Sequence, residues 1–288
     1  MNNIDSSGTV AVVGATGQQG AATVDALLRR GMHVRALTRN TGSDAARALT
    51  DRGVTVVEAD LEAPESIRNA LSGAAMAFAM TTYDGPKGTE GEVANGKVIV
   101  DAAGDVELPF LVYSSVGGAE RNTGIPHFES KRRIEEFLTG TVPANFVRPT
   151  FFMENLLQLI ARDGDQLIVR MPMPDGIPLQ LISVRDIGNV ASALLANADP
   201  SAPPIEIAGD ELTGSQIADA VGQRLGTSAT FVEVPLDVLG DDQDRKKMFK
   251  WFTTLPSYRA DLGRTRELAP DVENLSTWLA RQALDHAR

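Results

Sequence analysis

Three glycines set three apart, Gly14, Gly17 and Gly20, follow a β-branched run at residues 9–13 and precede a helical pattern. Such a turn can place backbone amides against phosphate oxygens. The first glycine allows the tight turn, the second lets the backbone approach the phosphates, and the third lets helix and strand pack closely. The helix start adds free amides and a partial positive charge. The loop reads Gly14-Ala15-Thr16-Gly17-Gln18-Gln19-Gly20, so Thr16, Gln18 and Gln19 join the glycines as contact candidates. A glycine turn without a ligand is the plainer alternative. The strand before it, the helix after it and the recurrence of the pattern downstream favour a dinucleotide.

The end of the second apolar run reads Thr38-Arg39-Asn40. A site for NAD usually carries an acid there, bonded to the ribose 2′-hydroxyl. None is present, and Arg39 can instead form a forked pair with a 2′-phosphate. The expected cofactor is therefore NADP(H). The alternative is a solvated surface arginine. Arg47 is a weaker assistant that also suits a solvated helix face.

A second group of reactive types lies on one helical stripe. His127, Lys131, Ile134 and Leu138 recur at spacings of four, three and four, and the latter half is apolar. Lys131 is thus expected on the inward side, where an unpaired charge is costly. It could hold ribose hydroxyls, or act in acid–base chemistry if its pKa is lowered. The alternative is a lysine snorkelling beside the helix start. For His127 the alternative is a capping or packed histidine. An imidazole can also donate a proton near neutral pH.

These groups need a frame to hold them. Apolar runs at residues 9–13, 33–38, 54–58, 76–80, 110–113 and 144–147 read as strands, with helical patterns between them. Pro64 suits the first turn of a helix, and Gly31 suits a helix end. Alternation of this kind means crossover units and a parallel sheet covered on both faces. The fold class is α/β: a Rossmann-type, doubly wound parallel sheet with a smaller mixed α+β C-terminal domain. Ligands in such sheets sit at the carboxyl ends of the strands. Asp60-Leu61, Thr81-Thr82-Tyr83, Ser114-Ser115 and Pro149-Thr150 follow four of them, forming a polar rim, with Asp60 and Leu61 suited to the adenine.

After Arg148 the rhythm changes. Residues 152–161, 186–197, 215–225 and 275–284 read as helices, and residues 205–208 and 230–234 as short strands. Residues 167–170 and 179–182 flank a turn rich in proline and read as a hairpin. The expected division is residues 1–150 as the NADP(H)-binding domain, with segments near 184–208 returning to it. Residues 151–183 and 209–288 form the smaller substrate or partner domain.

The bulk numbers exclude several classes. The chain has 288 residues, 43% of them hydrophobic, enough for a sizeable core. It has no cysteine, so disulfides and thiolate chemistry are ruled out. Three scattered histidines argue against a metal site. A formal net charge of −11 repels phosphate backbones, which argues against direct nucleic-acid binding. The longest apolar run, residues 74–80, is too short to cross a bilayer. Residues 1–7 have neither a basic nor an apolar region of the signal-peptide kind. A soluble, cytoplasmic protein is expected.

The sequence resembles the NmrA-like family of atypical short-chain dehydrogenases/reductases, and its NADPH-sensing members most. The resemblance rests on Gly14-Ala-Thr-Gly17-Gln-Gln-Gly20, Thr38-Arg39-Asn40, Val112-Tyr113-Ser114-Ser115, His127-Phe-Glu-Ser-Lys131 and Arg148-Pro-Thr-Phe-Phe-Met-Glu-Asn155. Met248-Phe-Lys-Trp-Phe252 and Leu275-Ser-Thr-Trp278 extend it to nearly the whole chain. It implies a Rossmann domain, a small C-terminal domain, a cleft between them and a preference for NADP(H). Ordinary members of the wider group carry a proton-donating tyrosine four residues before the lysine. Here His127 stands in that place, which puts carbonyl reduction by the usual route in doubt.

Three functions stay open. A redox sensor or regulator would bind NADP(H) and pass its state to a protein partner, and the missing tyrosine favours it. An NADPH-dependent reductase of a quinone, enone or similar acceptor would use His127 or Lys131 as acid, the lysine as in related isoflavone-reductase-like enzymes. A DNA-binding repressor comes last: Arg245-Lys246-Lys247 is the compact basic cluster of the C-terminal region, and the aromatic residues after it suit a packed helix or a protein contact. A homodimer is a further expectation.

Overall fold

The computed structural model describes residues 8–164 and 166–282. The reading of residues 1–7 and the end of the helix expected at 275–284 lie outside that range. The first half alternates strand and helix. It runs β1 (Val10–Val13), α1 (Gln18–Arg29), β2 (Val34–Thr38), α2 (Asp44–Asp51), β3 (Thr55–Glu58), α3 (Pro64–Leu71), β4 (Met76–Met80), α4 (Gly88–Asp105), β5 (Leu111–Ser114), α5 (Pro126–Leu138) and β6 (Ala144–Pro149). Pro64 and Pro126 each open a helix in its first turn, where the missing amide has no partner to lose.

Next come β7 (Phe151–Phe152), β8 (Ile160–Asp163), β9 (Gln166–Met171), β10 (Leu179–Ile182), α6 (Val184–Asn197), β11 (Ile205–Ile207), β12 (Asp210–Leu212), α7 (Gly214–Leu225) and β13 (Ala229–Glu233). The helices α8 (Gln243–Phe252), α9 (Leu262–Leu268) and α10 (Leu275–Arg281) follow. No helix among the described residues is long and apolar enough to cross a membrane.

The main sheet has the order β11-β6-β5-β4-β1-β2-β3, and every pairing in it is parallel. The order reverses between β1 and β4, so the loop after β1 opens at the topological switch point. Alternate residues of β1 serve different faces. Val10 and Val12 join a core with Val24 and Leu27 of α1, Leu49 of α2 and Val190 of α6. Ala11 and Val13 join another with Ile67 of α3, Ile99 of α4 and Ile134 of α5. Both faces are thus buried, which explains strands apolar throughout.

A third core joins the remaining elements. Phe151, Leu167, Val169, Leu181, Val221, Phe249, Phe252 and Trp278 pack together between two three-stranded sheets and helices α7, α8 and α10. β11 leaves this region to pair with β6. Phe249 and Phe252 anchor α8 in the core, so the basic cluster at its start flanks a packed helix.

Two sequence expectations give way here. Residues 167–170 and 179–182 do not form a hairpin. β9 pairs with β8 and β13, while β10 pairs with β7 and β12. Period and composition mark a strand but not its partner, and all of β10 is buried. Residues 152–161 are not one α-helix either. They form the end of β7, a 3-10 segment at Met153–Gln158 and the start of β8. Tertiary bonds override the helical pattern there: Glu154 accepts the Val184 amide at 3.1 Å and Trp278 Nε1 at 3.0 Å.

Candidate active site

The glycine loop has the geometry its residues imply. Gly14 takes φ +67°, in the left-handed region that glycine tolerates. A Cβ on Gly20 would lie 2.1 Å from the Gly14 carbonyl oxygen, so α1 can start this close to β1 only with glycine there. The Gly17 amide donates to Gly14 O at 2.9 Å and closes the turn. Gly17 caps α1 without a side-chain hydrogen bond. The first-turn amides therefore receive no acceptor from the capping residue. Thr16 Oγ1 meets Thr38 Oγ1 at 3.3 Å, tying the loop to the end of β2.

From this loop a cleft of about 820 Å³ extends over the carboxyl ends of β4, β5 and β6 toward α8. It brings together Gly17, Gln18, Gln19, Gly20, Thr81, Thr82, His127, Lys131, Pro149 and Thr150 from the sequence reading. Gly14, Thr16, Arg39, Asp60, Leu61 and Ser114 do not line it. Arg39 is exposed at the end of β2 and has no ion pair among the described residues. Asp60 and Leu61, half-buried, follow β3, and the Ala59 amide bonds to Thr38 O at 2.9 Å, so both strand ends lie together. Ser114 is fully buried and donates to Gln19 Oε1 at 2.6 Å. It braces the loop and does not reach the cleft. Arg47 is occupied by Asp44 and by the Gly42 carbonyl.

Lys131 departs from expectation. It is not an unpaired charge: its ammonium donates to Thr81 O at 2.6 Å and meets Glu92 Oε1 at 3.0 Å, with Thr81 Oγ1 at 3.3 Å. Three contacts match the three donors an ammonium has. Its pKa is not lowered either. Burial pulls it down, but Tyr113 and Glu92 outweigh burial and hold it above the ordinary lysine value. Thr81 Oγ1 also bonds to Glu92 at 3.0 Å and to Tyr113 Oη at 2.7 Å, and Ser130 donates to Glu92. Burial pushes the Tyr113 hydroxyl up to about 12. The group is a closed buried network at the cleft floor, with its protons held tightly.

His127 is differently placed. It lines the cleft beside Thr82 and Tyr83, and its ring stacks on Tyr83 with centroids 4.8 Å apart at 25°. Nδ1 is engaged by Asp244 of α8, leaving Nε2 without a partner among the described residues. Tyr83 titrates above its usual value through burial, reinforced by Asp244 and Asp84. The far wall is apolar and aromatic: Phe151, Phe152, Leu239, Met248 and Phe249 line it. Ser115 lines the cleft too, and its buried hydroxyl has no hydrogen-bond partner among the described residues.

Sequence reasoning missed Glu92, Asp244 and the aromatic wall. Glu92 sits on the helical stripe of α4 with Val93, Gly96 and Val100, where an inward carboxylate was the available signal. Asp244 carried none, because its partner is 117 positions away.

Known proteins match this architecture. The model of the NmrA-like family matches residues 6–274. The NmrA-like family domain-containing oxidoreductase FrzB of Cladobotryum sp is 35% identical over 160 residues, covering 51% of this chain. That match spans 48% of FrzB, so the chain covers about half the length of this relative. The crystal structure of NmrA, a negative transcriptional regulator, in complex with NADP superposes with a TM-score of 0.81 at 20% identity, covering 96% of this chain and 95% of that one. An NADPH-dependent quinone oxidoreductase from Escherichia coli, complexed with NADPH, gives 0.79 at 19% identity, covering 94% and 98%. With the family model matched over nearly its entire length, the chain belongs to the NmrA-like family.

Proposed function

We propose that this protein binds NADP(H) and reduces a flat, apolar acceptor of the quinone or enone kind. One observation carries the reading: a single cleft is lined by the uncapped start of α1, by a set of aromatic side chains and by His127. The residues suit the cofactor. Gly17, Gln18 and Gly20 offer backbone at a helix start, and Gly20 leaves no room for a side chain. Exposed Arg39, at the end of β2, suits a 2′-phosphate. Asp60 and Leu61 suit the adenine. Thr81, Thr82, Pro149 and Thr150 line the path of the remainder, and the unpartnered Ser115 hydroxyl offers a hydrogen bond within it.

NADPH, when bound, supplies a hydride. The residues of the chain do the rest. The aromatic wall excludes water and favours a planar acceptor. Lys131, Thr81, Glu92 and Tyr113 keep the floor rigid, with the ammonium neutralised by Glu92. His127 Nε2 hands a proton to the acceptor oxygen as negative charge develops there. Residues 1–150 with 184–208 serve as the cofactor half in this reading, and residues 151–183 with 209–288 as the acceptor half. The test is a screen of quinones and enones with NADPH and with NADH. Oxidation of NADPH above background by at least one acceptor is expected, and none across the panel overturns the reading.

The sensor reading, which the missing tyrosine favoured in the sequence, takes second place. Its support is that one cleft is walled by both halves of the chain, so cofactor occupancy can bias their arrangement if the cofactor binds two arrangements differently. Oligomeric state and partner capture, measured with NADPH, with NADP and without either, test it. Identical results in all three states overturn it.

A further inference from the structure

We propose that His127 and Asp244 form a dyad that joins α5 to α8 beside the cleft, in which Asp244 is the positioning residue that commits His127 Nε2 to the acceptor. The inference rests on the reductase reading and assigns it a residue from the opposite half of the chain. His127 is the second residue of α5, and Asp244 is the second residue of α8. One carboxylate makes two contacts. Asp244 Oδ1 takes the imidazole Nδ1, and Oδ2 accepts the His127 backbone amide at 2.9 Å. A single bond to the ring would leave it free to swing about the contact. The second bond ties the same carboxylate to the backbone of α5, so ring and helix start are oriented together.

The chemistry follows from the donor inventory. An ionised carboxylate only accepts, so Nδ1 must carry a hydrogen. That hydrogen stays on Nδ1 whether the ring is neutral or protonated. The exchangeable proton is then the one at Nε2. On transfer, the Nε2–H bond breaks and an O–H bond forms on the reduced acceptor. The ring returns to its neutral form with Nδ1–H still on Asp244, and solvent restores the Nε2 proton. No oxidant beyond the acceptor and no reductant beyond NADPH is required.

The surroundings hold the ring in place. Tyr83 stacks on one face at 4.8 Å, and Phe128 meets the ring edgewise at 4.7 Å and 89°. Phe128 in turn packs against Trp251 of α8 at 5.4 Å, so the α5–α8 contact continues behind the dyad. The other titratable and charged groups around the pair are Tyr83 and Asp84, from the segment after β4, and Arg245, from α8. The His127 and Asp244 side chains are 12% and 15% exposed. Such a pair is screened far less than one on the surface. Because the partners come from opposite halves, the proton donor is complete only when both halves meet over the cleft.

The test uses the full-length protein with NADPH and the best acceptor of the screen. Asp244→Asn keeps the shape and removes the charge. It is expected to lower kcat about 100-fold, the scale of a lost acid–base contribution, while the affinity for NADPH stays unchanged. His127→Ala is expected to lower kcat to a similar extent, and the double variant to fall no further, as for residues that act as one unit. Additive losses, or an unchanged kcat in Asp244→Asn, overturn the dyad. A second readout needs neither turnover nor a variant of Asp244: the nitrogen resonances of the imidazoles in 15N-labelled protein, with His127→Ala identifying the signal. The neutral ring is expected to carry its hydrogen on Nδ1. A hydrogen on Nε2 in the neutral ring overturns the proposal. If no acceptor is turned over, the reductase reading fails while the resonances still decide the pairing.

Discussion

Glu92 Oε1 lies 3.0 Å from Lys131 Nζ, with the carboxylate fully buried and the ammonium one-tenth exposed. The pair joins α4 to α5 beneath the cleft, and Thr81 and Tyr113 complete it. Removing one partner of a buried pair leaves the other charge without compensation, at about 3–5 kcal/mol. Lys131→Met and Glu92→Gln are each expected to destabilise on that scale. The double variant should lose less than the sum, because neither charge is then stranded. Denaturant unfolding of the four proteins checks this, and strict additivity would refute it.

The same network sets an alkaline limit. The folded Tyr113 hydroxyl is pushed up to about 12 by burial, and the Lys131 ammonium is held above its ordinary value. In the unfolded chain these groups titrate at about 10 and about 10.4. Between those values and the folded ones, the folded state keeps protons that the unfolded state has released. Stability from both groups is therefore fully present below about pH 10 and is lost as pH rises toward about 12. Unfolding free energies from pH 8 upward should fall through this window, and Tyr113→Phe should flatten the fall. A slope unaltered by that substitution counts against the account.

Gly20→Ala places a methyl where the Gly14 carbonyl already stands, 2.1 Å from the new Cβ. The neighbour is backbone and cannot swing aside. The start of α1 must shift, which disturbs the amides offered to the pyrophosphate and costs about 1–3 kcal/mol. Both the melting temperature and the affinity for NADPH and NADH alike are expected to fall. Unchanged binding of both nucleotides would show that the loop does not hold them.

Arg39→Ala should discriminate between the two nucleotides. A charge-assisted hydrogen bond contributes about 1.5–3 kcal/mol, or roughly 10- to 100-fold in affinity. NADPH binding is expected to weaken by that factor while NADH binding stays as it was. Because Arg39 is exposed, the difference should also shrink with added salt. Fluorescence titration of both nucleotides reads the outcome, and equal losses for the two rule out a 2′-phosphate contact.

His127→Ala and Lys131→Ala separate chemistry from architecture. His127→Ala should depress kcat and leave the affinity for NADPH near its original value, with a smaller loss of melting temperature than Lys131→Ala because Asp244 keeps the His127 backbone amide. Lys131→Ala should act first on stability, since the ammonium's contacts lie within the chain. Steady-state kinetics beside thermal melts decide the matter. A stable Lys131→Ala protein with abolished turnover would return the acid role to the lysine.

Much of the alternating first part of the fold was legible in the chain itself. Alternation of strands and helices, the glycine spacing and the lack of an acid beside Arg39 are local patterns, and local patterns specify local structure. The stripe from His127 to Leu138 placed both reactive side chains on the inward face, where the structure has them. The partners of those side chains were a different matter. Lys131 read as an unpaired charge because Glu92 lies 39 positions earlier, on another helix. Ser114 read as part of the rim, yet the fold turns it onto Gln19 behind the loop. The strands at 167–170 and 179–182 were recognisable as strands, but their pairing was decided by β7, β8, β12 and β13, which no period in the sequence encodes.

The parallel sheet, the glycine loop at its switch point and the face on which His127 and Lys131 lie thus follow from local pattern. That Lys131 is closed off by Glu92, and that His127 is held by Asp244 in an aromatic-lined cleft, depends on contacts between distant segments. The reason is physical. Periodicity records which way a side chain faces, whereas charge pairing and cavity shape arise from residues distant in sequence that meet only once the chain has packed.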